Sequence, residues 1–295
     1  MPDAEGVPPA LPADWPNRDA SLFINAAGLR WHVQRAGRGP TILLLHGTAG
    51  ATHTWRDVLP RLTAWADVIA VDLPGHGFTT GASAEQLSLA GMTDALRELL
   101  LTIAVRPRIG VGHSAGAAVL LQLASTSDFT PQSIIGVNSA LVSVNALGQL
   151  LLPVSRELFD LVPLRTGIAA LLRNGMLARA ALRSTGTPLD EAQEARYISM
   201  LTDETRVGAV LSMMTRWDLP SLHATFHRIS VPVTLVHSAN EPWVPFRELL
   251  EVTRSLPMRT VIDVGPAGHL IPDEQPERLA GIIAAAFAAL GPNHA

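Results

Sequence analysis

The 295-residue chain has no cysteine, which excludes disulfides, thiolate chemistry and cysteine-ligated metals. It has no apolar run long enough, at about 18 residues, to predict a membrane-spanning helix. The longest candidate, around 277–290, is short and Ala-rich and reads as a final core helix. The N-terminus, M-P-D-A-E-G-V-P-P-A, lacks the basic and apolar regions of a secretory signal. Together with the missing cysteines, this fits a cytoplasmic protein. Positive charge is not in excess: 22 basic and 26 acidic residues give a net charge of −4, and the arginines are scattered, so no nucleic-acid footprint is present. No Walker A motif and no dinucleotide fingerprint occur, so no nucleotide cofactor is implied, and no cofactor is expected. His46, His53, His76 and His113 lack metal-ligand spacing, and no metal site is expected.

What the chain does have is apolar material, at 47%. That suffices for one sizeable core, or a core with a small inserted subdomain. Residues 1–20 carry five prolines and read as an extended N-terminal arm. Alternating segments at 22–26 and 30–35 suit paired strands. T-I-L-L-L-H-G at 41–47 and D-V-I-A-V-D at 67–72 are apolar runs that suit strands buried on both faces. Further strands are expected at 108–114, 134–138, 231–237 and 260–264, and helices at 54–64, 85–102, 117–124, 246–255 and 275–290. The alternation predicts an α/β fold with a mostly parallel central sheet flanked by helices. Residues 141–225 interrupt it with Leu-rich, helical segments. The expected organisation is a core of 21–140 and 226–295 with a helical cap of 141–225, laid where open α/β sheets bind ligands.

The sharpest local signal is G-H-S-A-G at 112–116, between a short strand and an Ala-rich helix. That context suits a nucleophile elbow, in which Ser114 is lifted above the sheet on a strained turn and its neighbours two positions away must be small. Gly112 and Gly116 meet the requirement, and a chance match is the weaker reading. H-G-T at 46–48 ends the first buried strand. The backbone N–H groups of Thr48 and Ala115 are the candidate oxyanion donors. The alternative for H-G-T is a tight glycine turn without catalytic duty.

The base follows the acid in this architecture. His269, in G-P-A-G-H-L after the last expected strand, is the candidate base. Glu241, in the loop 237–245 after the preceding strand, is the candidate acid, and an exposed loop charge is its alternative. The strand at 134–138 ends in Asn138 and Ser139, which supply no carboxylate. His113 is expected to pack beside the turn. Asp72 and His76, in D-L-P-G-H-G-F, are expected to be structural, and Ser83 is a loop residue.

H-G-T, D-L-P-G-H-G-F, G-H-S-A-G and the late G-H-L, in this order, resemble the α/β-hydrolase superfamily over residues 22–290. W-P-N-R-D-A-S at 15–21, L-R-W-H-V-Q at 29–34, H-G-T-A-G-A-T-H-T-W-R-D at 46–57 and G-H-S-A-G-A-A at 112–118 resemble the magnesium-chelatase accessory proteins of bacteriochlorophyll biosynthesis. That resemblance implies a role around magnesium insertion into protoporphyrin IX, with a tetrapyrrole as small-molecule substrate and magnesium-chelatase subunits as partners. The family's triad pattern carries over cleanly to Ser114 and His269 and less closely to Glu241. Three functions stay open: a serine hydrolase acting on an ester or related carbonyl, a non-catalytic porphyrin- or chelatase-binding protein, and a general carboxylesterase or carbon–carbon bond hydrolase. Leu151, Leu152, Leu158, Leu161, Leu164, Leu171 and Leu172 are expected to pack the cap onto the core, with a flat apolar ligand or an acyl chain as alternatives.

Overall fold

A computed structural model describes residues 10–127, 129–142 and 175–291. Eight strands form one sheet: β1 (Ser21–Ala26), β2 (Leu29–Gly37), β3 (Thr41–Leu45), β4 (Asp67–Val71), β5 (Ile109–His113), β6 (Ser133–Val137), β7 (Val233–His237) and β8 (Arg259–Asp263). Their order is β1-β2-β4-β3-β5-β6-β7-β8. β1 pairs antiparallel with β2, and β2 with β4; every later pairing is parallel. The expected mostly parallel sheet is therefore present.

The apolar runs of β3 and β4 follow from burial on two faces. In β3, Leu43 and Leu45 join the layer containing α2 (Leu89–Thr102) and α3 (Ala115–Thr126). Ile42 and Leu44 join the opposite layer, with α1 (Leu59–Leu62) and the C-terminal helix Pro276–Ala289. Side chains alternate across a strand, so a strand covered on both sides must be apolar throughout. Each fully buried leucine contributes about 1.5–3 kcal/mol to folding.

Several boundaries differ from those expected. The 54–64 segment is a 3-10 turn, Thr52–Trp55, followed by α1, whose Pro60 sits in the first turn, where a missing N–H costs nothing. The 85–102 segment becomes helical only at Leu89, because the Ser88 hydroxyl accepts the Gly91 N–H at 3.0 Å and caps the helix. The described part of the arm is anchored rather than fully extended. It makes a 3-10 turn at Arg18–Ala20, and Trp15 is buried with its Nε1 donating to Thr52 Oγ1 at 3.2 Å.

Between β6 and β7 the described chain is helical: α4 (Met176–Arg183), α5 (Glu191–Thr202), α6 (Glu204–Thr215) and α7 (Leu219–Thr225). Asp190 and Gln193 close a capping box at the start of α5. No strand occurs within 175–225. The leucines from 151 to 172 singled out above lie outside the described residues. This insertion meets the loops that follow the parallel strands. Tyr197 Oη donates to Asp273 at 2.8 Å, and Arg206 Nε donates to the Gly77 carbonyl at 2.7 Å. Among the described residues, no helix is long and apolar enough to cross a membrane.

Candidate active site

β5 ends at His113, and the next residue, Ser114, has φ 51° and ψ −114°. A non-glycine residue in this region carries about 1–3 kcal/mol of backbone strain, which the surroundings must offset. They do so by hydrogen bonding: Ser114 N–H donates to the Val137 carbonyl at 2.8 Å, and the Ala140 N–H donates to the Ser114 carbonyl at 3.1 Å. The turn also requires glycine on either side. A Cβ on Gly112 would stand 2.4 Å from the Gly116 carbonyl carbon, and one on Gly116 would stand 2.4 Å from the Leu45 carbonyl oxygen. Helix α3 starts at Ala115, directly after Ser114, so its first amides point at the serine end with no intrahelical acceptor.

The 46–48 turn lies against this elbow. A Cβ on Gly47 would be 2.8 Å from Ser114 Cβ. His46 fixes the turn: its Nδ1 donates to the Gly47 carbonyl at 2.7 Å, and its Nε2 accepts the Leu73 N–H at 3.0 Å. These roles need the neutral ring, and burial lowers the His46 pKa accordingly. Thr48 is exposed at the tip of this turn.

Glu241 and His269 come together from the loops after β7 and β8. His269 Nδ1 lies 2.7 Å from Glu241 Oε2, with the carboxylate fully buried. The other oxygen, Oε1, accepts the N–H groups of Trp243 at 2.7 Å and Val244 at 3.2 Å. Glu241 is thus a held carboxylate and not an exposed loop charge. The Trp243 ring lies 4.7 Å from the His269 ring. On the other side the His113 ring is 4.8 Å away, and His113 Nε2 donates to the His269 carbonyl at 2.9 Å. Burial, with His269 beside it, pushes His113 well below the ordinary imidazole range, so it is a neutral prop. It packs beside the turn, as expected. Asn138 Nδ2 adds donations to the Gly268 carbonyl at 3.1 Å and the His269 carbonyl at 3.0 Å. Ser114 and His269 are both buried, and no hydrogen bond closes between their side chains among the described residues. Such contacts often tighten only when substrate is bound.

Asp72 and His76 do not join the site. Asp72 Oδ2 meets His32 Nδ1 at 2.7 Å and the Phe78 N–H at 2.8 Å, while Oδ1 accepts the Thr52 N–H at 2.6 Å. Burial alone would raise the Asp72 pKa, but His32 and these donors bring it below the ordinary value. Burial drives His76 down to about 3. Ser83 lies in an exposed turn with Gln86. Among the described residues, no group of three or more histidine or acidic side chains could hold a metal ion.

A buried network was not foreseen. Arg56 pairs with Asp273 Oδ1, Tyr197 Oη donates to Asp273 Oδ2, and Thr54 Oγ1 lies 3.3 Å from Tyr197 Oη. Burial raises Asp273 to about 6 against the pull of Arg56. It joins the insertion, the 52–56 turn and the residues just after His269. Nothing local in the sequence signals it, because its bonded partners are 76 to 217 positions apart.

The fold agrees with comparisons to known proteins. The model of the alpha/beta hydrolase family matches residues 42–282. The chain belongs to the alpha/beta hydrolase family. Within this family it is 32% identical over 283 residues to the magnesium-chelatase 30 kDa subunit of Rhodobacter capsulatus, covering 94% of this chain and 97% of that protein. It is 27% identical over 272 residues to an esterase of Mycobacterium tuberculosis, covering 87% and 84%. The crystal structure of an alpha/beta hydrolase fold protein from Burkholderia ambifaria superposes with a TM-score of 0.75 at 20% identity, covering 90% of this chain and 98% of that one. This last likeness shows the hydrolase fold.

Proposed function

We propose that this chain is a cytoplasmic serine-type hydrolase that serves as an accessory factor in magnesium insertion into protoporphyrin IX during bacteriochlorophyll biosynthesis. Its substrate is an ester or related carbonyl compound of the tetrapyrrole class. The observation that carries the catalytic part is the 2.7 Å contact of His269 Nδ1 with the buried Glu241 carboxylate, joined through the His113–His269 bond to the strained turn at Ser114. The pigment part rests on the likeness to the magnesium-chelatase 30 kDa subunit.

The chemistry follows from the hydrogen-bond roles. Glu241 has its second oxygen committed to two amides, so its first holds the proton on His269 Nδ1 and leaves Nε2 as a base. Ser114 Oγ attacks the carbonyl carbon while His269 Nε2 takes its proton. The oxyanion forms toward the N–H groups of Thr48 and Ala115, which contribute a few kcal/mol each. The leaving group takes the proton from His269 as its bond to the carbonyl carbon breaks, leaving the acyl group on Ser114. Water, deprotonated by His269, then attacks that carbon, the bond to Ser114 Oγ breaks, and Oγ regains the proton from His269 as the acid is released. The experiment is labelling with a fluorescent fluorophosphonate. Labelling of the wild type that is lost in Ser114→Ala and in His269→Ala is the expected result. A folded wild type that does not label overturns it.

One observation favours a second reading. The hydroxyl of Ser114 is not engaged by His269, as suits a fold retained to hold a porphyrin or a chelatase subunit. That reading expects protoporphyrin IX or chelatase binding that Ser114→Ala leaves unchanged, with no labelling.

A further inference from the structure

The loop between α4 and α5 is joined to both loops that carry the His269–Glu241 pair. Thr185 offers its carbonyl to the His269 N–H at 2.8 Å. Thr187 Oγ1 accepts the Leu270 N–H at 3.0 Å. Ser184 Oγ accepts Trp243 Nε1–H at 3.2 Å, from the residue whose own N–H holds Glu241. The fit is close: a Cβ on Gly268 would stand 2.4 Å from Thr187 Oγ1 and 2.5 Å from Thr187 N. Gly186, at φ 69°, makes the bend that brings both threonines to the same strand of backbone. Thr185 and Thr187 are buried although they belong to a loop, and the N–H groups of His269 and Leu270 end on this segment.

We propose that Thr187 is a positioning residue for His269, acting through the Leu270 amide, and that segment 184–187 makes the insertion part of the scaffold that aims the base. This rests on the reading of His269 as base. The backbone of His269 is gripped from two sides: the core supplies Asn138 and His113 at its carbonyl, and the insertion supplies Thr185 at its amide. Removing the Thr187 hydroxyl leaves a buried N–H without an acceptor, and the loop rotates to satisfy it. The titratable groups around the ring are Glu241 and His113, with Glu274 holding the Gly268 N–H at 2.9 Å. Segment 184–187 adds no charge, so a displaced His269 titration reports geometry.

The test compares Thr187→Val, close in shape but without the acceptor, with Thr187→Ser, which keeps it. Two readouts are taken on the full-length protein: the titration midpoint of the His269 ring by NMR, assigned against His269→Asn, and the pH profile of fluorophosphonate labelling. Thr187→Val is expected to move the midpoint by about half a pH unit or more and slow labelling about tenfold, with Thr187→Ser restoring both. An unmoved midpoint in Thr187→Val, or a Thr187→Ser protein as impaired as Thr187→Val, overturns the proposal. Should Thr187→Val not fold, Trp243→Phe keeps a ring over His269 but loses the bond to Ser184, and is expected to shift the midpoint in the same sense; no shift overturns it. A wild type that never labels, with a midpoint still displaced in Thr187→Val, leaves the positioning role standing and removes the hydrolase reading.

Discussion

Among the described residues, two histidine–carboxylate pairs lie buried, and their contacts are nearly the same. His269 Nδ1 meets Glu241 at 2.7 Å, and His32 Nδ1 meets Asp72 at 2.7 Å. In both, backbone amides hold the carboxylate. The second pair even has a serine in line, with His32 Nε2 3.0 Å from Ser21 Oγ. The serines differ. Ser21 sits in a regular strand and also accepts Gln34 Nε2–H at 3.2 Å, so its hydroxyl and both nitrogens of the His32 ring are committed. Ser114 sits on a strained turn at the start of a helix, with its hydroxyl unclaimed by His269. A closed set of hydrogen bonds fastens β1 and β2 to the loop after β4; the open, strained set is where reactivity is expected. Serine, histidine and acid in line therefore do not define a catalytic site by themselves.

The largest expected effect separates the pairs by reactivity. Glu241→Gln should cut fluorophosphonate labelling about 10²–10⁴-fold while the melting temperature barely moves. Labelling of Ser21 in Ser114→Ala, found by peptide mapping, would break the comparison. Next, Asp72→Ala should lower unfolding free energy by about 3–5 kcal/mol in denaturant titrations, because the amides of Thr52 and Phe78 and the His32 ring all lose their acceptor. A loss no larger than that of Glu241→Gln would remove the distinction.

A third carboxylate sharpens it through pH. Asp273 is raised to about 6 in the folded chain. Between its unfolded value near 4 and that value, the folded state holds a proton that the unfolded state has released. Stability contributed by this group is full below that window and lost as pH rises through it, at up to about 1.4 kcal/mol per pH unit. Asp273→Asn should flatten that slope in unfolding curves taken from pH 4 to 7; an unchanged slope would mean that Arg56 keeps the carboxylate charged. The smallest effect concerns the backbone. Ser114→Gly should stabilise the fold by about 1 kcal/mol by releasing φ 51°, whereas Ser21→Gly should destabilise it by about as much. Equal signs in the two melts would deny the strain.

The parts of this arrangement that the sequence discloses are those made by neighbours. The strand at 41–45 is readable because both its faces are buried, and the elbow because its glycine spacing reports one tight turn. Glu241 and His269 are readable from their places after the last two strands. What the sequence conceals is held across long separations by groups with no characteristic spacing: His32 with Asp72, Asn138 with the His269 carbonyl, and Thr187 with Leu270. The late start of α2 is concealed for a different reason, since a serine hydroxyl outweighs an apolar periodicity that runs on to either side of it.

The prop from His113 to the His269 carbonyl spans 156 positions of chain. No fragment that ends before residue 269 can contain the finished site, and contacts this remote form late, after local helices and neighbouring strands have condensed. During refolding, secondary structure is expected to return first and phosphonate reactivity last. On the proposed reading, labelling of Ser114 then serves as a clock for completed folding, one that a partly folded chain cannot start.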